Sequence, residues 1–171
     1  MPDARSGNAN GRTQGGSNAE VVIADALVKG LKGIDYELAL KAMLKDATVP
    51  PGGNEEQEGR GGLVEYNRLG YVPFGIDRAG NRTVEYAYND YNIATVAKIL
   101  GKEDIYEEYI RKADNWKNLW RDDYEHDGVK GFIMPRSASG EWLDDVPFGH
   151  SKIQHPTFRY TPVTNDSPWY T

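Results

Sequence analysis

NRTVEYAYNDYNIATVAKILG, residues 81–101, is the longest run in the chain with a clear helical period. Val84, Tyr88, Tyr91, Thr95 and Ile99 recur every three or four positions, and Ala87, Ala94, Val96, Ala97 and Leu100 widen the apolar surface beyond one stripe. Asn81 or Thr83 is available as N-cap, Glu85 stands in the first turn, where a negative charge favours the positive end of the helix dipole, and Gly101 follows the end. A helix this apolar needs cover on more than one side.

Cover lies close in sequence. Lys102 to Asp104 link to a second periodic run, Ile105 to Trp120, in which Tyr106, Tyr109, Ile110, Ala113, Trp116 and Trp120 share a face opposite Glu107, Glu108, Arg111, Lys112 and Lys117. The pair predicts an αα-hairpin over about 83–121. Toward the N-terminus, a helix is expected from Asn18 or Ser17 as cap through Val21, Val22, Ala24, Asp25, Leu27 and Val28 to Gly30. Another is expected from Asp35, with Tyr36, Leu38, Ala39, Ala42 and Met43 inward. These make a second hairpin over about 19–46.

Residues 1–18 are rich in Gly, Asn and Ser and read as a loop or arm, and Thr48 to Gly62 reads as a solvated Pro, Gly and acidic linker. A short amphipathic helix, Leu63 to Leu69, closes at Gly70. The loop YVPFGIDRAG, 71–80, then carries Asp77 to the start of the long helix, in the kind of shaped loop that often contacts substrate. Beyond Trp120 the pattern turns weakly β: GFIMPR and EWLDDV flank Ser137 to Gly140 as a hairpin, and Phe148 to Thr171 has no period. The fold class is mainly α, built of antiparallel αα-hairpins, with a coil-rich C-terminal region.

At 171 residues, with 27% charged residues and a formal charge of −6, the chain suits one soluble, mildly acidic domain. Its scattered cations form no basic patch, which argues against nucleic acid as a partner. No apolar run approaches the ~20 residues of a membrane span, and the opening residues lack the apolar core of a signal peptide. Without Cys there is neither a disulfide framework nor a zinc-thiolate site, and His126, His150 and His155 fit no paired metal motif. Eleven Tyr and four Trp carry much of the apolar character; such rings with polar tips suit the wall of a wet cleft. Asn81-Arg82-Thr83 and Asn165-Asp166-Ser167 match the glycosylation sequon, which matters only in a secreted protein.

VEYAYNDYNIATVAKILGK resembles the signature helix of glycoside hydrolase family 92, exo-acting α-mannosidases with a Leu-Glu-Tyr-Ala-Tyr-Asp-Asp pattern before an alanine-rich helix and Leu-Gly-Lys. The resemblance extends through GGSNAEVVIADALVKG, YELALKAMLKDA, GRGGLVEYNRLGYVP, NWKNLWRDDYEHDGVKGFIMPR and DDVPFGHSKIQHPTFRYTP, covers nearly everything after Asn10, and is greatest to fungal members. It implies that residues 1–171 are part of an (α/α)6 catalytic barrel that in the family follows an N-terminal β-sandwich. It also implies calcium as cofactor, mannose-containing glycans as substrates and secretion of the full-length protein.

Inverting hydrolysis of a glycosidic bond needs an acid on the leaving oxygen and a carboxylate activating water, roughly 6.5–9.5 Å apart. Glu85, Tyr86 and Asp90 are candidate substrate contacts, as is Asp77. By the residues alone, Glu85 charges the helix start and Asp90 bonds a neighbouring helix; the resemblance moves Glu85 toward the cleft, as a sugar or calcium contact. The family's base belongs to a Gly-Asn-Asp-Asp segment that does not occur here. Its acid is expected in the loop before the first helix, where NGRTQGGSNAE has no carboxylate before Glu20 and Gln14 stands at the acid position. An amide cannot donate a proton as an acid. The His-Glu pair that accompanies α-1,2 specificity is replaced by FGIDRAGNR. Two readings therefore stand: a piece of an inverting α-mannosidase, inactive alone, or a helical carbohydrate-binding or interaction module. In either, helix faces left apolar and exposed would promote self-association.

Overall fold

The computed structural model describes residues 18–52, 59–76 and 78–143. Five helices follow in order: α1 Ala19–Val28, α2 Tyr36–Thr48, α3 Leu63–Leu69, α4 Ala79–Ile99 and α5 Glu103–Lys112. A 3-10 turn, Asn115–Leu119, then leads into two antiparallel strands, β1 Trp120–His126 and β2 Val129–Ile133. The architecture is mainly helical, as the apolar periodicity predicts.

Helix α4 runs through both cores. Its C-terminal half contributes Ile93, Ala94, Val96 and Ala97 to a cluster with Ala24 of α1, Leu40, Met43 and Ala47 of α2, and Tyr109 of α5. Its N-terminal half puts Ala79 and Tyr86 against Leu63 and Tyr66 of α3 and Val72. Fourteen of its 21 residues are buried, so neighbours from both sides of the sequence pack on one helix. Small side chains at 94 and 97 let those neighbours come close. At the end of α4, the Lys102 N–H donates to Ala97 O at 2.9 Å and the Gly101 N–H to Lys98 O at 3.1 Å, a closure that turns the chain straight into α5.

Several boundaries fall where local chemistry puts them. Asp35 caps α2, its Oδ1 accepting from the Leu38 N–H at 3.0 Å, and α3 spans the residues expected. Asn18 precedes α1 but makes no side-chain cap bond, and Ser17 lies outside the described residues. Neither Asn81 nor Thr83 caps α4, which begins at Ala79, ahead of both, after Arg78 in the left-handed region. Thr83 instead sits inside the helix and is buried: its hydroxyl donates to Ala79 O at 2.8 Å and accepts from the Val72 N–H at 2.9 Å, tying the 71–76 loop to α4. Asn81 is also buried, so in this fold its sequon is closed to glycosylation.

Three further corrections concern faces and ends. Leu38 is 62% exposed, and Leu40 and Ala47 join Met43 on the inner face of α2, turned from the face expected. Helix α5 stops at Lys112 rather than near Trp120, because Asp114 and Asn115 break the period and the Lys117 N–H turns back to Asp114 O at 3.0 Å. A β-hairpin that the sequence reading lacks forms at Asp127-Gly128, both at positive φ as a two-residue turn requires. The expected turn at Ser137–Gly140 also forms, the Gly140 N–H donating to Ser137 O at 3.0 Å and the Ser137 N–H to Glu141 O at 2.8 Å beside a single antiparallel bridge, Arg136 to Trp142.

The hairpin is joined to the helices by Arg136. Its Nε donates to Gly140 O at 2.8 Å and its Nη1 to Asn118 O at 3.2 Å, while its guanidinium lies over the Trp142 ring at 4.8 Å and the Tyr71 ring at 5.4 Å. Asn118 in turn donates to Gly70 O at 3.0 Å, closing the loop onto the end of α3.

Among the described residues, nothing covers one flank of α4. Tyr88 and Tyr91 are half exposed, at 51% and 50%, and with Val84, Ile110, Ala113 and Trp116 they line an open groove of about 620 Å³ between α4 and α5. Ala87 and Ala94, which widen the apolar surface of the helix, are buried, whereas Ile99 is exposed. With rings of this size in water, the chain should bind a hydrophobic dye below its unfolding transition, and a Tyr88→Ser, Tyr91→Ser variant should bind less. A folded monomer that binds none would contradict the exposure. At Gly131, φ is +84° and an added Cβ would run into the Trp120 indole, so Gly131→Ala should cost about 1–3 kcal/mol in thermal unfolding. Gly128→Ala, with open space around it, should cost less; equal losses would show that the indole does not close the site.

Candidate functional site

The densest polar chemistry among the described residues lies where the 59–62 loop, α1, α3 and α4 meet. Arg60 Nη1 donates to Asp90 Oδ1 at 2.7 Å, and the Tyr66 hydroxyl donates to Asp90 Oδ2 at 2.9 Å. Arg60 Nη2 stands 3.7 Å from Glu20 Oε1, an ionic approach without a hydrogen bond. The guanidinium also lies over the Tyr86 ring, 5.2 Å from its centroid, and Tyr86 packs edge-on to Tyr66 at 5.4 Å while its hydroxyl donates to Gly61 O at 3.0 Å. Glu20, Arg60, Tyr66, Tyr86 and Asp90 have no measurable exposure.

Each position follows from its element. Glu20 is in the first turn of α1 and Asp90 is mid-way along α4, about a quarter-turn round the helix from the exposed Tyr91. Arg60 comes from the stretch that composition reads as a solvated linker; in the structure the end of that stretch, Arg60 to Gly62, is buried, because the cation is drawn to Asp90. Burial works against the charge on Arg60, but the neighbouring Asp90 and Glu20 carboxyls outweigh it and hold the guanidinium firmly protonated. Burial pushes the Tyr66 phenol well up, with Asp90 adding to it. Glu20 is pushed up to about 8, by burial first and by the nearby Asp46 carboxyl, against the pull of Arg60.

Closed to solvent, with both Asp90 oxygens engaged, this cluster is a structural anchor. Removing one partner of such a pair strands a buried charge and costs about 3–5 kcal/mol. Asp90 therefore serves the interhelical bond that the residues alone suggest. Tyr86, also named as a substrate contact, is sealed beside it. Glu85, one residue away, points elsewhere: it is partly buried, burial raises its pKa, and among the described residues it has no hydrogen-bond or ion-pair partner. A carboxyl held toward its protonated form can donate to a sugar hydroxyl or to a leaving oxygen. Its companion in an acid and base pair cannot be Asp90, whose oxygens are both occupied.

Gln14 and Asp77 lie outside the described residues, as do His150 and His155. His126 is exposed at the end of β1 beside Asp127. Among the described residues no three His, Asp or Glu side chains gather as they would around a metal ion, so no calcium site is built from them. Sequence reasoning passes over Arg60, Glu20 and Tyr66. The available signals were weak: a lone Arg between glycines in an acidic stretch, and a glutamate in a first turn followed by apolar residues.

The model of the glycosyl hydrolase family 92 catalytic domain matches residues 1–169. A fungal relative from Arthroderma benhamiae, described as an uncharacterized secreted glycosidase, is 42% identical over 169 residues, which cover 90% of this chain and 22% of the relative. Among solved structures, the chain is similar to a family 92 inverting mannosidase of Bacteroides thetaiotaomicron, with a TM-score of 0.70 and 36% identity over 77% of this chain and 17% of that one. It is also similar to a family 92 α-mannosidase of the same bacterium in complex with mannoimidazole, with a TM-score of 0.68 and 33% identity over 85% of this chain and 18% of that one. The chain thus spans about a fifth of the length of these relatives. With the family model matched over nearly its whole length, the chain belongs to glycosyl hydrolase family 92 and represents a helical portion of that family's catalytic domain.

Proposed function

We propose that this chain is part of the catalytic domain of a secreted, inverting exo-α-mannosidase that removes terminal mannose from glycans. What supports the reading above all is family membership together with the likeness to two mannosidases, one named as inverting and one bound to mannoimidazole. The fungal relative described as secreted supports an extracellular setting for the whole protein.

In this reading the helices belong to an (α/α)6 barrel, and the groove along Tyr88, Tyr91, Ile110 and Trp116 is the side on which a further helical hairpin of the domain packs. Glu85 is the residue of the described portion that would meet sugar, from the N-terminal half of α4. The Arg60–Asp90 pair holds that half in place without touching substrate. Inversion needs a second carboxylate across roughly 6.5–9.5 Å, with room for a water between the two. Asp90 cannot serve, and calcium, if the domain uses it, would draw its donors from beyond the described residues. The chain by itself is therefore proposed to be inactive. The aromatic groove keeps a second reading alive, that of a non-catalytic helical module binding carbohydrate through Tyr88, Tyr91 and Trp116.

The test is kinetic. The purified 171-residue chain should release no mannose from α-mannosides with or without calcium, whereas the complete domain containing it should. In the complete domain, Glu85→Gln should reduce kcat/KM by about tenfold to a hundredfold, in the range of one lost hydrogen bond to a charged or polar group. Calcium-dependent mannose release by the chain alone, above its own Glu85→Ala variant, would overturn the proposed inactivity. Mannose binding by the chain alone that is lost on Tyr88→Ser and Trp116→Ala, but not on Glu85→Gln, would favour the binding module.

A further inference from the structure

Three buried side chains of α4 bond to the segment that precedes it in the chain. Thr83 Oγ1 accepts from the Val72 N–H at 2.9 Å, the Tyr86 hydroxyl donates to Gly61 O at 3.0 Å, and Asp90 takes Arg60 at 2.7 Å and Tyr66 at 2.9 Å. At about 100° per residue, positions 83, 86 and 90 fall within about 60° of one another, so these bonds form a polar seam along one side of the helix. Glu85 lies about 100–160° round from all three, on the side away from the seam. The seam therefore decides which way Glu85 faces.

Thr83 makes the first bond of the seam, close to a helix start that has no side-chain cap at Arg78. Its own proton goes to Ala79 O at 2.8 Å, which leaves its lone pairs for Val72. Both residues are sealed, Val72 at 1% exposure and Thr83 at none, so water does not replace the bond if the hydroxyl is removed. The loop that carries Val72 is itself strapped down. The Phe74 N–H donates to Arg136 O at 2.8 Å and the Tyr71 hydroxyl to Ser137 O at 2.8 Å. Val72 and Ile76 press on Gly62, where an added Cβ would come within 2.9 Å and 3.2 Å of their side chains. Thr83 thus ties α4 to a fixed point.

We propose that Thr83 is a positioning residue for Glu85: its bond to the Val72 N–H fixes the rotation of the first turns of α4 and so aims the Glu85 carboxyl at the ligand. Side chains reach about 5–6 Å from a helix axis, so about 10° of rotation carries the carboxyl about 1 Å. A misplacement of that size can cost up to about a hundredfold in rate. Tyr86 and Asp90 hold the helix further along and limit the turn, which keeps the loss expected from Thr83 below that bound. The contact of Glu85 with sugar rests on the mannosidase reading; the aiming of its carboxyl does not.

Two experiments test it, and they fail separately. In the 171-residue chain, carboxyl carbon NMR reads the titration midpoint of Glu85, which partial burial raises above its ordinary value. Thr83→Val, which keeps the shape and loses the acceptor, should move that midpoint, while Thr83→Ser, which keeps the hydroxyl, should not. An unmoved midpoint in Thr83→Val overturns the proposal. If Thr83→Val does not fold, amide exchange in the parent decides: a Val72 N–H protected like the interior of α4 supports the tie, and exchange at the rate of an open loop overturns it. In the complete domain, Thr83→Val should lower kcat/KM by about threefold to thirtyfold, with Thr83→Ser within about twofold of the parent. In a Glu85→Gln background the same change should cost nothing further, because the group it aims is gone. Losses that multiply would overturn an action through Glu85. A Glu85→Gln domain as active as the parent would count against the sugar contact in the mannosidase reading, and the NMR result would still judge the aiming of the carboxyl.

Discussion

A guanidinium and a carboxylate thirty residues apart, both without access to water, meet at 2.7 Å in the middle of this chain. Such a contact is expensive to assemble, since both ions leave their hydration shells, and it persists only where further hydrogen bonds complete it. Here Tyr66 supplies the second bond to Asp90, and the Tyr86 ring lies under the cation. Through these four side chains the 59–62 loop, α3 and the N-terminal half of α4 become one unit. Everything that approaches α4 from the N-terminal side, including Glu20 on α1, must fit around that unit.

The same constraint separates structural acids from those free for chemistry. Glu85 and Asp90 look alike in sequence, two carboxylates in an aromatic-rich helix. Asp90 is consumed by the anchor, while Glu85 sits on the adjoining face, partly buried and unpaired among the described residues. Glu85 is thereby left available for contact with a ligand, as Asp90 is not.

Helix existence, the bounds of α3 and the cap of α2 were legible in sequence because they rest on local rules: a glycine closing Leu63–Leu69, an aspartate three residues before the N–H it accepts. The start of α4 was not, because Thr83, an apparent cap, spends its hydroxyl on Val72 in a tertiary bond. The end of α5 was misplaced because Trp116 and Trp120 continue a helical period that Asp114 and Asn115 interrupt, whereas the turn at Ser137–Gly140 was legible from its small residues and forms, although the longer strand pair closes at Asp127-Gly128. Arg60 escaped for a deeper reason. Its environment is glycine-rich and acidic, which reads as solvent-facing, and its partners come from distant segments that no periodicity connects.

The claim on which the account depends is that the Arg60–Asp90 pair acts as one unit holding α4 in place, and a double-mutant cycle in equilibrium unfolding measures it directly. Arg60→Met and Asp90→Asn should each cost about 3–5 kcal/mol by stranding a buried partner, and the double variant should lose much less than their sum. Single losses below about 1 kcal/mol, or a double loss equal to the sum, would show that the two groups are not coupled and that α4 is held by its apolar contacts alone.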